Sequence, residues 1–91
     1  MPLPHETFSR RFGRFRIRDY EISDARLARL HSIMQCFLVL DARYDMCWQS
    51  IEYRALSELF DVVPKGEMAP EYEIIVHESD GVVHDVEARR I

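Results

Sequence analysis

The sequence predicts an α+β domain in which one main helix packs on an antiparallel β-meander of about four strands. Three patterns lead there. Leu40–Asp45 and Ser50–Ala55 alternate apolar and polar without a break, as half-buried strands require. Leu27, Leu30, Met34 and Phe37 recur at spacings of three and four, which draws an apolar stripe along a helix. Asp80-Gly81 is the preferred dipeptide of a two-residue type I′ turn, and it lies between Tyr-Glu-Ile-Ile-Val and Val-Val-His-Asp-Val.

Ninety-one residues, 47% hydrophobic and 31% charged, suit one globular domain and exclude the disordered class. A chain this short buries only roughly 60% of its extended surface, so its core has little to spare. The whole chain, 1–91, reads as a single α+β domain with residues 1–7, rich in proline, as a flexible lead-in. No apolar run is long enough to span a bilayer, and Met1–Glu6 lacks the layout of a signal peptide, so a cytoplasmic location is expected. Cys36 and Cys47 fall too far apart on the predicted hairpin for a disulfide. The net charge of −4 is unevenly placed, at +3 over residues 1–30 and −7 over residues 31–91. Such asymmetry points to a charged partner, to self-association, or to neutralisation of one half by the other within the fold.

Along the chain, Phe15 and Ile17 alternate with Arg14, Arg16 and Arg18, which predicts a short strand with an arginine face. Ser23 is the expected N-cap of the helix and Asp24 the first-turn acid, and the helix should end between Met34 and Phe37. His31 sits beside the apolar stripe as a boundary residue. The hairpin reading of Cys36–Ala55 has one competitor. Tyr44, Cys47, Trp48, Ile51, Ala55, Leu59 and Val62 also fit a helical stripe, which would give a helical hairpin plus a C-terminal β-hairpin. That alternative leaves Tyr53, Leu56 and Phe60 exposed, so strands are favoured. Leu56–Pro70 is a connector with a turn at Pro64-Lys65-Gly66, and its Leu59, Phe60, Val62 and Val63 should pack in part on the sheet. In the last hairpin the turn sets Ser79 opposite Val82, Glu78 opposite Val83 and His77 opposite His84. Tyr72 then faces Arg89, and Val86 and Ala88 share the His77 face.

Few residues carry recognisable chemistry. Two imidazoles at His77 and His84, if directly opposite, could share a metal ion, but Glu73 on the same face is a full pleat repeat or more away and no cysteine is adjacent. Asp41 and Asp45 flank Arg43 on one strand face without a base or nucleophile beside them. No phosphate loop, nucleophile elbow or His-Glu-x-x-His motif occurs, so neither an enzyme nor a cofactor is expected. Arg10, Arg11, Arg14, Arg16 and Arg18 interleave with aromatic residues as a nucleic-acid surface would. Gly13 between aromatics is similar to the RNP1 pattern of RNA-recognition motifs but departs from it at most positions, and the βαββαβ order is absent. Glu67, Glu71, Glu73, Glu78, Asp80, Asp85 and Glu87 form an acidic stretch suited to a basic partner.

The stretch Ile51-Glu52-Tyr53-Arg54-Ala55-Leu56-Ser57, through Pro64-Lys65-Gly66-Glu67 to Pro70-Glu71-Tyr72, resembles small bacteriophage accessory proteins of the host-takeover or anti-defence type. It covers about a third of the chain. The resemblance implies inhibition of a host protein by binding and assigns a role to no residue. The expected function is a non-enzymatic protein-interaction module, an inhibitor that meets a basic protein through its acidic residues, with nucleic-acid binding by Arg10–Arg18 as the alternative. A homodimer is also expected, because one helix cannot cover both faces of such a sheet.

Overall fold

The computed structural model describes residues 10–19, 22 and 26–91. The expected lead-in 1–7, the Ser23 cap and Asp24 lie outside these. Among the described residues five strands and a helix follow in the order β1 (Phe12–Arg18), α1 (Leu27–Met34), β2 (Leu38–Asp45), β3 (Ser50–Leu56), β4 (Tyr72–Ser79) and β5 (Val82–Arg90). No described helix is long and apolar enough to cross a membrane.

The helix and antiparallel strands are as expected, but the strands form two sheets and not one four-stranded meander. The first sheet has the order β1-β3-β2 and the second is the β4–β5 hairpin. The reason lies in β1, which pairs along the whole of β3 from Phe12↔Leu56 to Arg18↔Ser50. It thereby takes the edge of β3 that β4 would need in a meander. The sheets touch at one parallel bridge, Arg14 with Glu71, where the Arg14 amide donates to the Pro70 carbonyl at 2.8 Å. The arginine strand is thus one edge of the first sheet, bonded to β3 along its length and to the start of β4 at Arg14 alone.

Cys36–Ala55 is a hairpin, and the helical alternative is not adopted. Ala42↔Tyr53 and Tyr44↔Ile51 lie on one face, and Asp41↔Arg54, Arg43↔Glu52 and Asp45↔Ser50 on the other, with a bulge at Leu40. The apolar face of β1 and β3 supplies Phe15, Ile17 and Ala55 to the core, where they meet Ile33, Phe37, Phe60, Tyr72 and Val86. Its centre is a cluster of rings. Phe15 lies 4.5 Å from Phe37 and 5.3 Å from Tyr53 between centroids, and Phe60 lies 4.5 Å from Tyr72. Offset ring contacts of this kind add about 0.5–1.5 kcal/mol each beyond their buried area.

On α1 Ile33 is buried, with Leu30 and Met34 packed half-buried beside it and Phe37 buried just after the helix, while Leu27 is exposed. The same three-and-four spacing fits both stripes, and Ile33 shows which one the core selects. The helix ends at Met34 as expected. The connector packs as predicted, with Phe60 and Val63 buried, and Pro64–Glu67 closes a turn through Gly66 at φ 89°. A positive φ at the third turn residue is what glycine supplies there.

The β4–β5 turn is the expected one, with positive φ at both Asp80 and Gly81. Ser79↔Val82 and Glu78↔Val83 also hold, but then the register shifts, and His77 pairs with Asp85 in place of His84. Beyond the shift Val76 faces Val86, Ile74 faces Ala88 and Tyr72 faces Arg90, so Val86 and Ala88 change faces and Arg89 is no longer opposite Tyr72. The bulge answers a conflict in the sequence. An unbroken register would send Val86 and Ala88 away from the core and turn Asp85 and Glu87 into it. One extra residue reverses both.

Candidate functional site: the hairpin tip and the cleft beside it

The β2–β3 turn, Met46-Cys47-Trp48-Gln49, is exposed throughout and unusually apolar. Met46 is 82% exposed and Trp48 57%. Its shape comes from Asp45. One carboxylate oxygen accepts the amides of Cys47 at 3.0 Å and Trp48 at 3.3 Å, a side-chain mimic of a backbone turn. The other accepts from Arg16 Nη1 at 3.3 Å. Arg16 also places its guanidinium carbon 5.8 Å from the centre of the Trp48 ring. The tip is thus held from below by β1 while its apolar side chains face outward.

Beside the tip, between the sheets, opens a cleft of about 550 Å³. The first sheet contributes Arg16, Arg18 and Ser50, and the tip Trp48; the second sheet contributes Glu73 and Ile74, with Glu71 just before it. Arg16 is the charged centre. Its guanidinium lies 3.4 Å from Glu52 and 3.8 Å from Glu71 as well as near Asp45. Arg18, by contrast, is exposed and has no carboxylate in ion-pair range among the described residues.

The five arginines proposed for nucleic acid do not form one surface. Arg14, Arg16 and Arg18 share a face, whereas Arg11 donates to the Phe60 carbonyl at 2.8 Å and Arg10 lies before the strand. Arg14 donates to the Ala69 carbonyl at 2.9 Å and lies 3.7 Å from Glu52. The acidic residues are also divided. Glu71 and Glu73 border the cleft, Glu78 pairs with Arg29 of the helix at 3.3 Å, and Glu87 meets His77 at 3.2 Å. Asp80 is in the turn, Glu67 in the connector and Asp85 exposed on β5. Intramolecular pairing therefore uses part of the charge asymmetry.

The His77–His84 metal pair is not formed, because the bulge moves His84 out of register. His84 Nε2 instead lies 2.7 Å from Ser79 Oγ. Among the described residues no group of three or more His, Cys, Asp or Glu side chains could hold a metal ion. Both cysteines are free thiols, Cys36 half-buried and Cys47 exposed. Burial, with the Asp85 charge behind it, pushes the Cys36 thiol up, which disfavours the thiolate. His31 is an exposed boundary residue within 3.0 Å of Gln35.

No protein-family model, curated protein or solved structure matches the chain. The tip and cleft are therefore read on their own chemistry. Sequence patterning left Trp48 between the two alternating stretches and on the competing helical stripe, with no partner assigned to it. What distinguishes it combines a local brace, the Asp45 carboxylate on the Cys47 and Trp48 amides, with contacts from Arg16, which lies 29 positions before Asp45.

Proposed function

We propose that the protein is a non-enzymatic interaction module that grips a segment of another protein between the β2–β3 tip and the adjoining cleft. The observation that carries this reading is a braced turn presenting Met46 and Trp48 to solvent. Tryptophan and methionine are enriched at protein interfaces, and a turn already held in one shape loses little freedom on binding. Glu71 and Glu73 at the cleft suit a basic side chain on the partner, which could also lie against the Trp48 ring. The fitting segment thus carries a lysine or arginine next to an apolar residue. An inhibitor acts by covering its target in this way, and the resemblance of the Ile51–Tyr72 region to small phage accessory proteins supports that role. A nucleic-acid surface at Arg10–Arg18 is less well supported, since Arg11, Arg14 and Arg16 already donate to carbonyls or carboxylates of the chain.

Trp48 is the chain's one tryptophan, so its fluorescence reports on the site directly. The test is a peptide array of basic–apolar sequences, followed by fluorescence titration of the selected peptides. The expected result is a saturable change that weakens with salt, and a tenfold or greater loss of affinity in Trp48→Ala (read by a labelled peptide) and in Glu73→Lys. Selection of no peptide, or affinities indifferent to both substitutions, would refute the reading.

A further inference from the structure

The edge strand β2 differs from the rest of the first sheet. One side of β2 pairs with β3, and no described strand pairs with the other. The core covers β1 and β3 but stops short of β2, leaving Val39, Leu40 and Tyr44 exposed at 38%, 60% and 55%. Within this eight-residue strand Asp41–Asp45 run regularly beyond the bulge at Leu40, and such an edge, with apolar side chains beside it, is a template for another strand. Its charges indicate which strand.

We infer that β2 pairs antiparallel with β2 of a second copy, about a two-fold axis through Ala42. In an antiparallel pair, directly opposite residues share a face, and a two-fold axis through residue i places i−1 opposite i+1. Asp41 and Arg43 occupy the same face of β2, on either side of Ala42. Centring on Ala42 therefore places Asp41 of each chain opposite Arg43 of the other, twice in the interface. Within one chain the two already attract, with Arg43 Nε 3.2 Å from Asp41 Oδ2, so the pair is exposed and available for exchange. Centring on Asp41 or on Arg43 would set like charges face to face. Centring on Tyr44 would use Asp45, whose carboxylate is committed to the tip amides and Arg16, and would run the ladder into the turn. The Ala42 register also carries Tyr44 of each chain to the Val39–Leu40 stretch of the other. The methyl group of Ala42, itself exposed, leaves the axis unobstructed. The paired strands run in opposite directions, so the two tips point away from each other and both remain accessible.

Charge exchange tests the register. Asp41→Arg alone and Arg43→Asp alone each place like charges opposite one another twice, and each should weaken the dimer at least tenfold in sedimentation equilibrium. An equimolar mixture of the two single variants restores two opposite-charge contacts and should dimerise as a heterodimer. The double variant should dimerise with itself. Circular dichroism of each single variant checks that the exposed changes leave the fold intact. A wild-type chain that stays monomeric at high micromolar concentration would overturn the inference. So would a dimer unaffected by the single changes, or a mixture that fails to re-form one. Peptide binding at the tip is read separately by Trp48 fluorescence, so failure of either proposal leaves the other standing.

Discussion

Gly13 is buried beneath the Tyr72 ring, and the space a side chain would need is already filled. A Cβ there would lie 2.7 and 2.8 Å from two Tyr72 ring carbons and 3.1 Å from a Phe60 ring carbon. Tyr72 cannot swing aside, because it stacks on Phe60 and its hydroxyl accepts the Asp61 amide at 3.0 Å. Gly13→Ala should therefore cost roughly 1–3 kcal/mol in urea unfolding, the usual cost of overpacking, although alanine is the better strand former. A neutral result would mean that the ring stack yields easily. Two tyrosines give a pH signature. The Tyr44 hydroxyl donates to Asp19 Oδ2 at 2.7 Å, and that bond, reinforced by the carboxylate charge, holds its pKa above the ordinary 10.0. Burial raises Tyr53 in the same direction. A folded-state pKa above the unfolded one means that the folded chain holds these protons more tightly. The associated stability is complete below about pH 10 and is lost as pH rises through the folded-state values. Urea midpoints measured from neutral to strongly alkaline pH should begin to fall above about pH 9, where the Cys36 thiol, also held up by burial, ionises first in the unfolded chain, and should fall further above about pH 10 as the tyrosines follow. Tyr53→Phe, which removes a titrating group, should make that fall shallower.

At the scale of the element, the β4–β5 hairpin shows where sequence reading succeeds and where it stops. Asp80-Gly81 specified the turn, and the first two cross-strand pairs followed from it. The bulge did not, because it comes from tertiary demand: the core needs Val86 and Ala88, and no local signal at His84 announces an extra residue. The same limit applies to β1, whose alternation was legible but whose place beside β3 was not, since strand order depends on long-range pairing. The apolar face of Ile51, Tyr53 and Ala55 was legible, whereas the exposure of Val39 and Tyr44 on the neighbouring strand depends on how far the core extends. The bulge can be tested by deletion. Removing His84 eliminates the extra residue and preserves every other pair, so the variant should unfold cooperatively with a midpoint near that of the wild type. Removing His77 shifts β4 by one residue and turns Tyr72, Ile74 and Val76 away from the core. That variant should fail to fold. Equal behaviour of the two deletions in urea-monitored circular dichroism would contradict the register.

For the molecule as a whole, the basic first third and the acidic remainder meet at Arg16. Its guanidinium lies within 4 Å of Asp45 at the end of β2, Glu52 in β3 and Glu71 at the entrance to β4, so one side chain from the basic segment connects both sheets. Its side chain is 33% exposed, and solvent screens each contact to the modest strength of a surface pair. Their sum still matters, because among the described residues one backbone bridge joins the sheets and because removing the cation leaves the carboxylates of Asp45, Glu52 and Glu71 around its place without it. Arg16→Ala should lower stability by about 1 kcal/mol at low salt, a network-scale loss for exposed charges. Between about 0.01 and 1 M salt the Debye length falls from roughly 30 to 3 Å, so the difference between variant and wild type should shrink across that range. Arg18→Ala is the control: it removes a cation from the same face with no carboxylate in range, and its effect should be small at every salt concentration. The decisive quantity is the wild-type-minus-variant difference in unfolding free energy, since salt also strengthens apolar burial in both proteins. If that difference stays constant with salt, Arg16 supports the junction through the packing of its side chain and not through its ion pairs.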